Sequence, residues 1–325
     1  MTTRSDISPT STDTARDLVA FACQAPSIHN SQPWRWRAGR GRLELRADRD
    51  RQLSVADPEG RHLTISCGAA LHHAVVRARA LGLTCDVTLV PDAGDPDLLA
   101  TVRLFPGRPD PLAQDEADLL GRRRTDRRRF TAWPLPEDRL AELVDAVDEA
   151  GTTITPVREQ SRRVRVGLLV TKALFVESTD PDYAAEQARW AEPTPDGGVP
   201  ETHRPVPHRR LTVSSRYDDT ASAPARDAVA PTDGLLVVTT PGDGPVDWLR
   251  TGIALCKLWT GAMDAGMSVV PLSQVVEVPE TRSALSEEIG EHGHPQLLLR
   301  LGWQEIARNP LPPSGRRPVE EVLVR

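Results

Sequence analysis

Six of the eight residues from 122 to 129 are arginine, and Thr125 lies inside this stretch. Guanidinium groups hold phosphate oxygens through pairs of parallel N–H donors, and a threonine hydroxyl can add a further donor. Arg316 and Arg317 form a second basic pair late in the sequence. These residue types predict a phosphate site. Composition alone also leaves open a solvated run of charge or a contact with nucleic acid.

Residues 26–34 read PSIHNSQPW and follow a predicted helix. Small hydroxyl and amide side chains in a turn can form hydrogen bonds to the edge of a flat ligand. We therefore expect this loop to contact such a ligand, with an ordinary helix-to-strand turn as the alternative. His29 is as consistent with a surface histidine as with an acid or a base.

Several common catalytic motifs are absent from the sequence, among them GxSxG, GxxxxGK[ST] and HExxH. Gly242-Asp243-Gly244 lacks the third glycine of a dinucleotide-binding loop, and Pro245 follows it directly. Three histidine pairs have no carboxylate or thiol at metal-ligand spacing, namely His72 with His73, His203 with His208, and His292 with His294. The four cysteines are far apart and predict buried thiols. We therefore assign neither a catalytic nucleophile nor a metal ligand.

The composition is that of a globular chain, with 325 residues of which 39% are hydrophobic and 26% are charged. This length predicts about two structural units. Only Lys172 and Lys257 are lysines among the 40 basic residues, and the net charge of −6 disfavours a dedicated nucleic-acid binder. No apolar run approaches the roughly 20 residues of a membrane span, and the first residues lack the apolar core of a secretory signal. These features predict a cytoplasmic protein without a membrane partner.

Hydrophobic periodicity predicts amphipathic helices that alternate with short strands. Helices are expected at 12–24, 66–81, 136–150, 160–177 and 248–265, and strands at 34–37, 42–46, 84–90, 99–105, 235–239, 268–272 and 297–303. The stretch from Glu192 to Thr232 contains seven prolines and predicts a functional cover or a mobile excursion.

An internal repeat links two of these helices. Gly68 and Gly82 are 14 residues apart in the first, and Gly252 and Gly266 are 14 residues apart in the second. Each helix is followed by a strand-like segment and then by a late apolar strand. The repeat predicts a duplicated unit whose copies pack as a pseudo-dimer, although helices that end at glycine are common enough for chance to remain the alternative.

Taken together, these motifs resemble those of the flavin-dependent nitroreductase superfamily and, within it, the Acg family. Arg123-Arg124-Thr125-Asp126-Arg127 resembles that superfamily's RRSxRxF phosphate motif, with Phe130 one residue late. PSIHNSQPW is similar to its PSxxNxQPW flavin loop, and Arg316-Arg317-Pro318 to its C-terminal arginine before a proline. Val270-Pro271-Leu272-Ser273-Gln274 resembles the segment whose backbone approaches flavin N5.

The resemblance implies a set of FMN-binding residues. The phosphate is expected among Arg123, Arg124, Thr125, Arg127, Arg128, Arg316 and Arg317. The flavin is expected against Pro26, Ser27, Ile28, Asn30 and Gln32 on one side, and near Leu272, Ser273 and Gln274 at N5. Because the loop occurs only in the first half and the complete phosphate motif only in the second, one FMN per chain is expected between the halves.

The resemblance also implies a fold and a function. The fold is expected to be α+β and nitroreductase-like, with a first half at 1–115, a second at 116–325, and 192–232 as a lid. The expected activity is hydride transfer from NAD(P)H through FMN to a nitro-aromatic, a quinone or a similar acceptor. The alternative is an FMN-sequestering protein whose covered flavin does not turn over. A monomer with an internal pseudo-dimer is expected, with further dimerisation left open.

Overall fold

A computed structural model describes residues 11–128, 130–200, 202, 232–290, 293–304 and 311–324. Its helices are α1 Thr12–Ala22, α2 Arg61–Ala80, α3 Pro111–Arg122, α4 Glu137–Asp145, α5 Gln160–Thr179, α6 Pro181–Ala191, α7 Pro245–Asp264, α8 Gln274–Glu277, α9 Pro279–Ile289 and α10 Val319–Val322. Its strands are β1 Trp34–Gly39, β2 Arg42–Ala47, β3 Leu83–Leu89, β4 Leu98–Pro106, β5 Thr153–Pro156, β6 Gly234–Thr240, β7 Met267–Pro271, β8 His294–Trp303 and β9 Leu323–Val324. The fold is α+β, as predicted.

The strands form two sheets with the same internal order. The first runs β3-β4-β2-β1-β9 and the second runs β7-β8-β6-β5. The pairs β1–β2, β2–β4 and β3–β4 are antiparallel, and so are their counterparts β5–β6, β6–β8 and β7–β8. This agreement supports the interpretation of two related halves. The division after residue 115 stays a prediction, and that position falls inside α3.

The two sheets meet through α2 and α7, which cross at the repeated glycines. A Cβ atom on Gly68 would lie 2.1 Å from the carbonyl oxygen of Leu249, and one on Gly252 would lie 2.0 Å from that of Ile65. Only a residue without a side chain permits such an approach of two backbones. Each helix then ends before a glycine with a positive φ, Gly82 or Gly266, and a strand follows at once. The repeat therefore lies at the contact between the two long helices.

Solvent exposure differs between the two sheets. Burial alternates along β1 and β2, so one face of the first sheet packs on α2 while the other faces water. All seven residues of β6 are buried because α7 covers one face of the second sheet and α5, α8 and α9 cover the other. Alternating and continuous apolar runs are the expected patterns of half-covered and fully covered strands.

The end of the chain returns to the first sheet. β9 pairs in parallel with β1, through Leu323 opposite Trp36 and Val324 opposite Arg37. The C-terminal segment thus extends the sheet of the other half.

Several predicted boundaries differ from those in the structure. α2 starts at Arg61, earlier than predicted, because Gly60 takes a left-handed conformation and the Asp57 carboxylate accepts from the first amides of the helix. The helix predicted at 136–150 ends at Asp145. α3, α6 and α9 were not predicted, although each has a proline in its first turn, a position that favours helix starts.

Cys23, Cys67 and Cys256 are buried thiols, as predicted, and Cys85 is partly exposed. Within the described ranges, no helix is both long enough and apolar enough to span a membrane.

Candidate functional site

One cavity is lined by elements of both halves. The loop after α1 and the first half of α2 form one wall, and the segment after α3, helix α7, the end of β7 and strand β8 form the rest. The lining residues are Pro26, Ser27, Ile28, His29, His62, Ile65, Ser66, Ala69, Thr125, Arg127, Leu255, Trp259, Val270, Pro271, Leu272, Ser273, Gln274, Leu297 and Arg300. Eight predicted site residues lie together here, namely Pro26, Ser27, Ile28, Thr125, Arg127, Leu272, Ser273 and Gln274.

The loop holds its shape through backbone and hydroxyl hydrogen bonds. The amide of Ile28 donates to Ser66 Oγ over 3.2 Å, and the amide of Gln32 donates to Ser27 Oγ over 3.0 Å. His29, Asn30 and Gln32 all have positive φ values, which are uncommon for residues other than glycine. The surface alternative for His29 is excluded, because its side chain is 3% exposed and lines the cavity.

Beside the cavity, three arginines gather without a carboxylate. Arg123 is only 3% exposed, and Arg124 and Arg316 are partly buried. Within the described part of the chain, none of the three forms an ion pair. Both Arg123 and Arg316 donate to the carbonyl oxygen of Gln24, over 3.4 and 3.3 Å, and so approach each other. The cluster reaches the cavity through Thr125, whose hydroxyl accepts from Arg123 Nη1, and through Trp259, whose ring centre lies 4.7 Å from Arg123 Cζ.

The electrostatics of this cluster call for an anion. Burial, followed by repulsion from Arg316, Arg124 and Arg127, lowers the pKa of Arg123 to about 9. Burial and Arg124 lower the pKa of Arg316 to about 10. The Nε atoms of Arg123 and Arg124 are buried and have no hydrogen-bond partner in the described structure. Buried charge of one sign is unfavourable until it is paired, and a phosphate group supplies both the charge and the acceptor oxygens. The residues present therefore fit the phosphate of FMN.

Two other predicted phosphate ligands, Arg128 and Arg317, already have carboxylate partners. Arg128 binds the Asp126 carboxylate through Nε and Nη2, over 2.8 and 2.7 Å. Arg317 lies 3.2 Å from Asp48 and also donates to backbone oxygens of the PSIHNSQPW loop. The predicted phosphate ligands thus include two arginines that are paired within the fold, Arg128 and Arg317, besides the three that form no ion pair in the described part of the chain.

Asn30 and Gln32 do not line the cavity and instead join three chain segments. Asn30 Nδ2 donates to the carbonyls of Gly198 and Gly315, over 3.1 and 3.0 Å, and Asn30 Oδ1 accepts from Arg316 over 2.6 Å. Gln32 Nε2 donates to the Asp196 carbonyl over 2.7 Å, and Gln32 Oε1 accepts from the amide of Arg317 over 2.9 Å. These two amides hold the C-terminal segment and residues 196–198 against the loop. Their predicted contact with the flavin stays a prediction.

The predicted lid is described only in part. Within residues 192–200, Asp196 and Gly198 contact the loop as above, and a Cβ on Gly315 would lie 2.4 Å from the carbonyl oxygen of Pro195. Residue 201 and residues 203–231 of the predicted lid lie outside the described residues.

Sequence reasoning missed several residues of the cavity wall. They are His62, Ile65, Ser66 and Ala69 on α2, Leu255 and Trp259 on α7, and Leu297 and Arg300 on β8. On α2 they follow a helical period, which is equally typical of core residues, so the pattern alone could not have found them.

The segment Gly242-Asp243-Gly244, which resembles a dinucleotide-binding loop only in part, has a structural role. The Asp243 carboxylate binds Arg282 through two hydrogen bonds of 2.7 and 2.8 Å and accepts from Trp248 Nε1 over 2.9 Å. These contacts fix the start of α7, and the segment does not line the cavity.

Comparison with known proteins identifies relatives over nearly the whole chain. No protein-family model matches it. A Mycobacterium tuberculosis H37Rv protein named "Putative NAD(P)H nitroreductase Rv3131" is 35% identical over 320 residues, which cover 96% of this chain and 91% of that protein. Another from the same strain, named "Putative NAD(P)H nitroreductase acg", is 31% identical over 328 residues, which cover 96% of each.

Similarity to solved structures is much weaker. An FMN-bound nitroreductase from Bacteroides fragilis is 13% identical with a TM-score of 0.39, and the match covers 60% of this chain and 90% of that one. Such a likeness carries no argument about the site. The sequence relatives, which are 35% and 31% identical over nearly the whole chain, show that this chain belongs to the Acg family of nitroreductase-like proteins.

Proposed function

We infer that the chain is an FMN-dependent NAD(P)H oxidoreductase of the nitroreductase type, with one FMN between its two halves. The observation that carries this proposal is the cluster of buried Arg123 with partly buried Arg124 and Arg316, which form no ion pair in the described part of the chain and lie beside a cavity lined by both halves. The names of the relatives add NAD(P)H as the electron donor and a nitro compound as the acceptor. A quinone or a similar acceptor belongs to the same class.

The chain's own residues bind, orient and shield the cofactor. The three arginines and Thr125 would hold the phosphate, and the apolar walls formed by Ile65, Leu255, Leu272 and Leu297 would exclude water from the ring. The chemistry that FMN would supply when bound is redox chemistry: acceptance of a hydride from the nicotinamide and its transfer to the second substrate.

A second function, FMN sequestration without turnover, has one observation in its favour. Residues 196–198, at the start of the predicted lid, are bound to Asn30 and Gln32 beside the cavity. NAD(P)H oxidation with and without a quinone separates the two functions. It is measured on the whole chain, on a variant lacking 192–232, and on one lacking only 203–231, which keeps the contacts of Asp196 and Gly198. If all three bind FMN and none turns over, sequestration is the function.

The phosphate assignment is tested by Arg123→Ala. Loss of a charge-assisted contact of about 1.5 to 3 kcal/mol weakens FMN binding roughly 10- to 150-fold. Affinities for FMN and for riboflavin are measured by quenching of flavin fluorescence. Riboflavin lacks the phosphate, so its affinity is expected to stay unchanged.

Arg128→Ala is the matched control, since Arg128 is already paired with Asp126. This variant is expected to lose stability while its affinity for FMN, measured on the folded fraction, changes little. Unchanged FMN affinity in Arg123→Ala, or an equal loss for riboflavin, would show that the cluster does not hold the phosphate.

A further inference from the structure

Two imidazoles line the cavity, His29 from the loop and His62 from α2. They are 3% and 4% exposed. The other described residues of the wall carry apolar, hydroxyl, amide or guanidinium groups. The two histidines are thus the described wall residues with a side chain that releases a proton near neutral pH. Reduction of a quinone or nitro group by hydride also needs a proton at oxygen, so the wall contains the acid that such a reaction requires.

The backbone at His29 is fixed in an uncommon conformation. Its φ of 46° and ψ of 21° are left-handed, a region that costs free energy for residues other than glycine. The neighbouring residues hold the turn, since the Ile28 amide donates to Ser66 Oγ and the Asn30 amide donates to the Ser27 carbonyl over 3.1 Å. Strained backbone that is held from both sides is typical of functional positions. These contacts keep His29 at the cavity wall.

His62 has a different electrostatic position. It is the second residue of α2, and its amide donates to the Asp57 carboxylate over 3.1 Å. The amides at a helix N-terminus create a positive potential, which disfavours a protonated imidazole. His29 lies outside this helix, and its left-handed backbone at the cavity wall makes it the better candidate for the acid.

We propose that His29 is the proton donor of the cavity. This inference rests on the proposed function, in which bound flavin delivers the hydride. In the reduction of a quinone, the acceptor gains that hydride, with its two electrons, and its carbonyl oxygen forms an O–H bond as an N–H bond of the His29 imidazolium breaks. The product is a hydroquinone, and the neutral imidazole takes a proton from water before the next cycle. Ser66 is a positioning residue, because its hydroxyl also donates to the His62 carbonyl over 2.6 Å and so joins the loop to α2.

The acceptor step is tested alone by reducing the FMN-loaded protein with light and mixing it with menadione. His29→Asn removes the acid but keeps a residue that tolerates left-handed backbone. We expect flavin reoxidation to slow by about 100-fold, a typical contribution of a general acid. His72→Gln, at a buried histidine of α2 that does not line the cavity, is the matched control and is expected to change the rate by less than about threefold, well below such a contribution.

The pH profile distinguishes an acid from a structural residue. In the wild-type protein, the rate is expected to fall as rising pH deprotonates His29, whereas in His29→Asn it is low and flat. The charged groups that face the cavity and influence this titration are His62, Arg127 and Arg300, with Asp57 behind the first turn of α2. The control His72→Gln is expected to keep the fall.

A readout independent of turnover is the imidazole C–H proton resonance that His29→Asn abolishes. In the oxidised, FMN-loaded protein, this resonance is expected to shift when menadione is added. A normal rate in His29→Asn, or a resonance that ignores menadione, overturns the proton donor and leaves the proposed function standing. A wild-type protein that retains no FMN overturns both.

Discussion

The two sheets share one strand order but differ in what covers them. In the first sheet, Arg42 of β2 pairs with Arg103 of β4. At the matching position of the second sheet, Leu235 of β6 pairs with Arg300 of β8. The side chain of Arg42 is 53% exposed, whereas Leu235 is fully buried and packs with residues of α5, which belongs to the connection between β5 and β6. Equivalent positions thus take opposite residue types according to the layer above them.

The comparison shows how unequal halves can share one site. Both halves keep the helix that carries Gly68 or Gly252 and the antiparallel strands beside it. The loop at 26–29 comes from the first half, and the arginines at 123 and 124 come from the second. The helices and strands that the halves share form the scaffold, and the segments in which the halves differ supply the residues of the candidate site.

The largest effect is expected where the two sheets differ most. Leu235→Asp places a charge in a fully buried layer and is expected to lower the free energy of unfolding by 4 kcal/mol or more, on the order of the penalty for burying an unpaired charge. Arg42→Asp, at the matching position, is expected to change it by roughly 0.5 kcal/mol. Urea unfolding measures both. Similar losses at both positions would mean that the outer face of the first sheet is also covered in solution.

The next effect concerns what the halves have in common. Gly68→Ala and Gly252→Ala each force a Cβ against a backbone carbonyl at about 2 Å, and each is expected to cost about 3 kcal/mol, as overpacking does. Gly121→Ala is the control, because a Cβ there has 3.7 Å to its nearest neighbour, and it is expected to gain up to about 1 kcal/mol from helix propensity. Thermal unfolding gives the comparison. A large difference between the first two variants would argue against equivalent roles for the two helices.

An effect that depends on pH distinguishes the starts of α2 and α7. Burial raises the pKa of Asp57 from its ordinary value of 3.8 to about 7. The contribution of this group to stability is therefore complete at pH values below 3.8 and is lost as the pH rises to about 7. The pKa of Asp243 is held below 3.8 because hydrogen bonds from Arg282, Trp248 and Gln296 outweigh its desolvation. Its contribution is therefore present above pH 3.8 and is lost as the pH falls further.

Relative to the wild-type protein, Asp57→Asn is expected to gain stability between pH 4 and 7, and Asp243→Asn to lose about 1 to 2 kcal/mol at pH 7. Urea unfolding from about pH 2 to pH 7 measures both slopes, that of Asp57 above pH 3.8 and that of Asp243 below it. Parallel slopes in the two variants would contradict the opposite pKa directions.

Sequence patterns predicted the parts of the fold that depend on neighbouring residues. The glycine spacing identified α2 and α7, because a helix that ends at a left-handed glycine leaves a local signature. The start of α2 at Arg61 was missed because Asp57 caps it from four residues upstream, with Gly60 between them. The parallel pairing of β9 with β1 joins residues nearly 290 positions apart, and no local pattern encodes it.

The candidate site was predictable by residue type and not by pairing. The arginine stretch was visible in the sequence, but the partner of Arg317 is Asp48, at the other end of the chain. Which arginines remain without a carboxylate is therefore decided by tertiary contacts. The same holds for Asn30 and Gln32, whose partners at 196, 198, 315 and 316 could not be read from the loop.

The β5–β6 connection illustrates how a hairpin can gain a layer. β1 and β2 are joined by Arg40 and Gly41 alone, whereas residues 157–233 join β5 and β6. Closing the longer loop costs only about 3 kcal/mol more in chain entropy, since that entropy grows with the logarithm of length. Burial of Val166 and Val170 alone offsets about this much, at roughly 1.5 to 2 kcal/mol for each valine. An insertion at this turn can therefore stabilise itself by packing on the sheet that it interrupts.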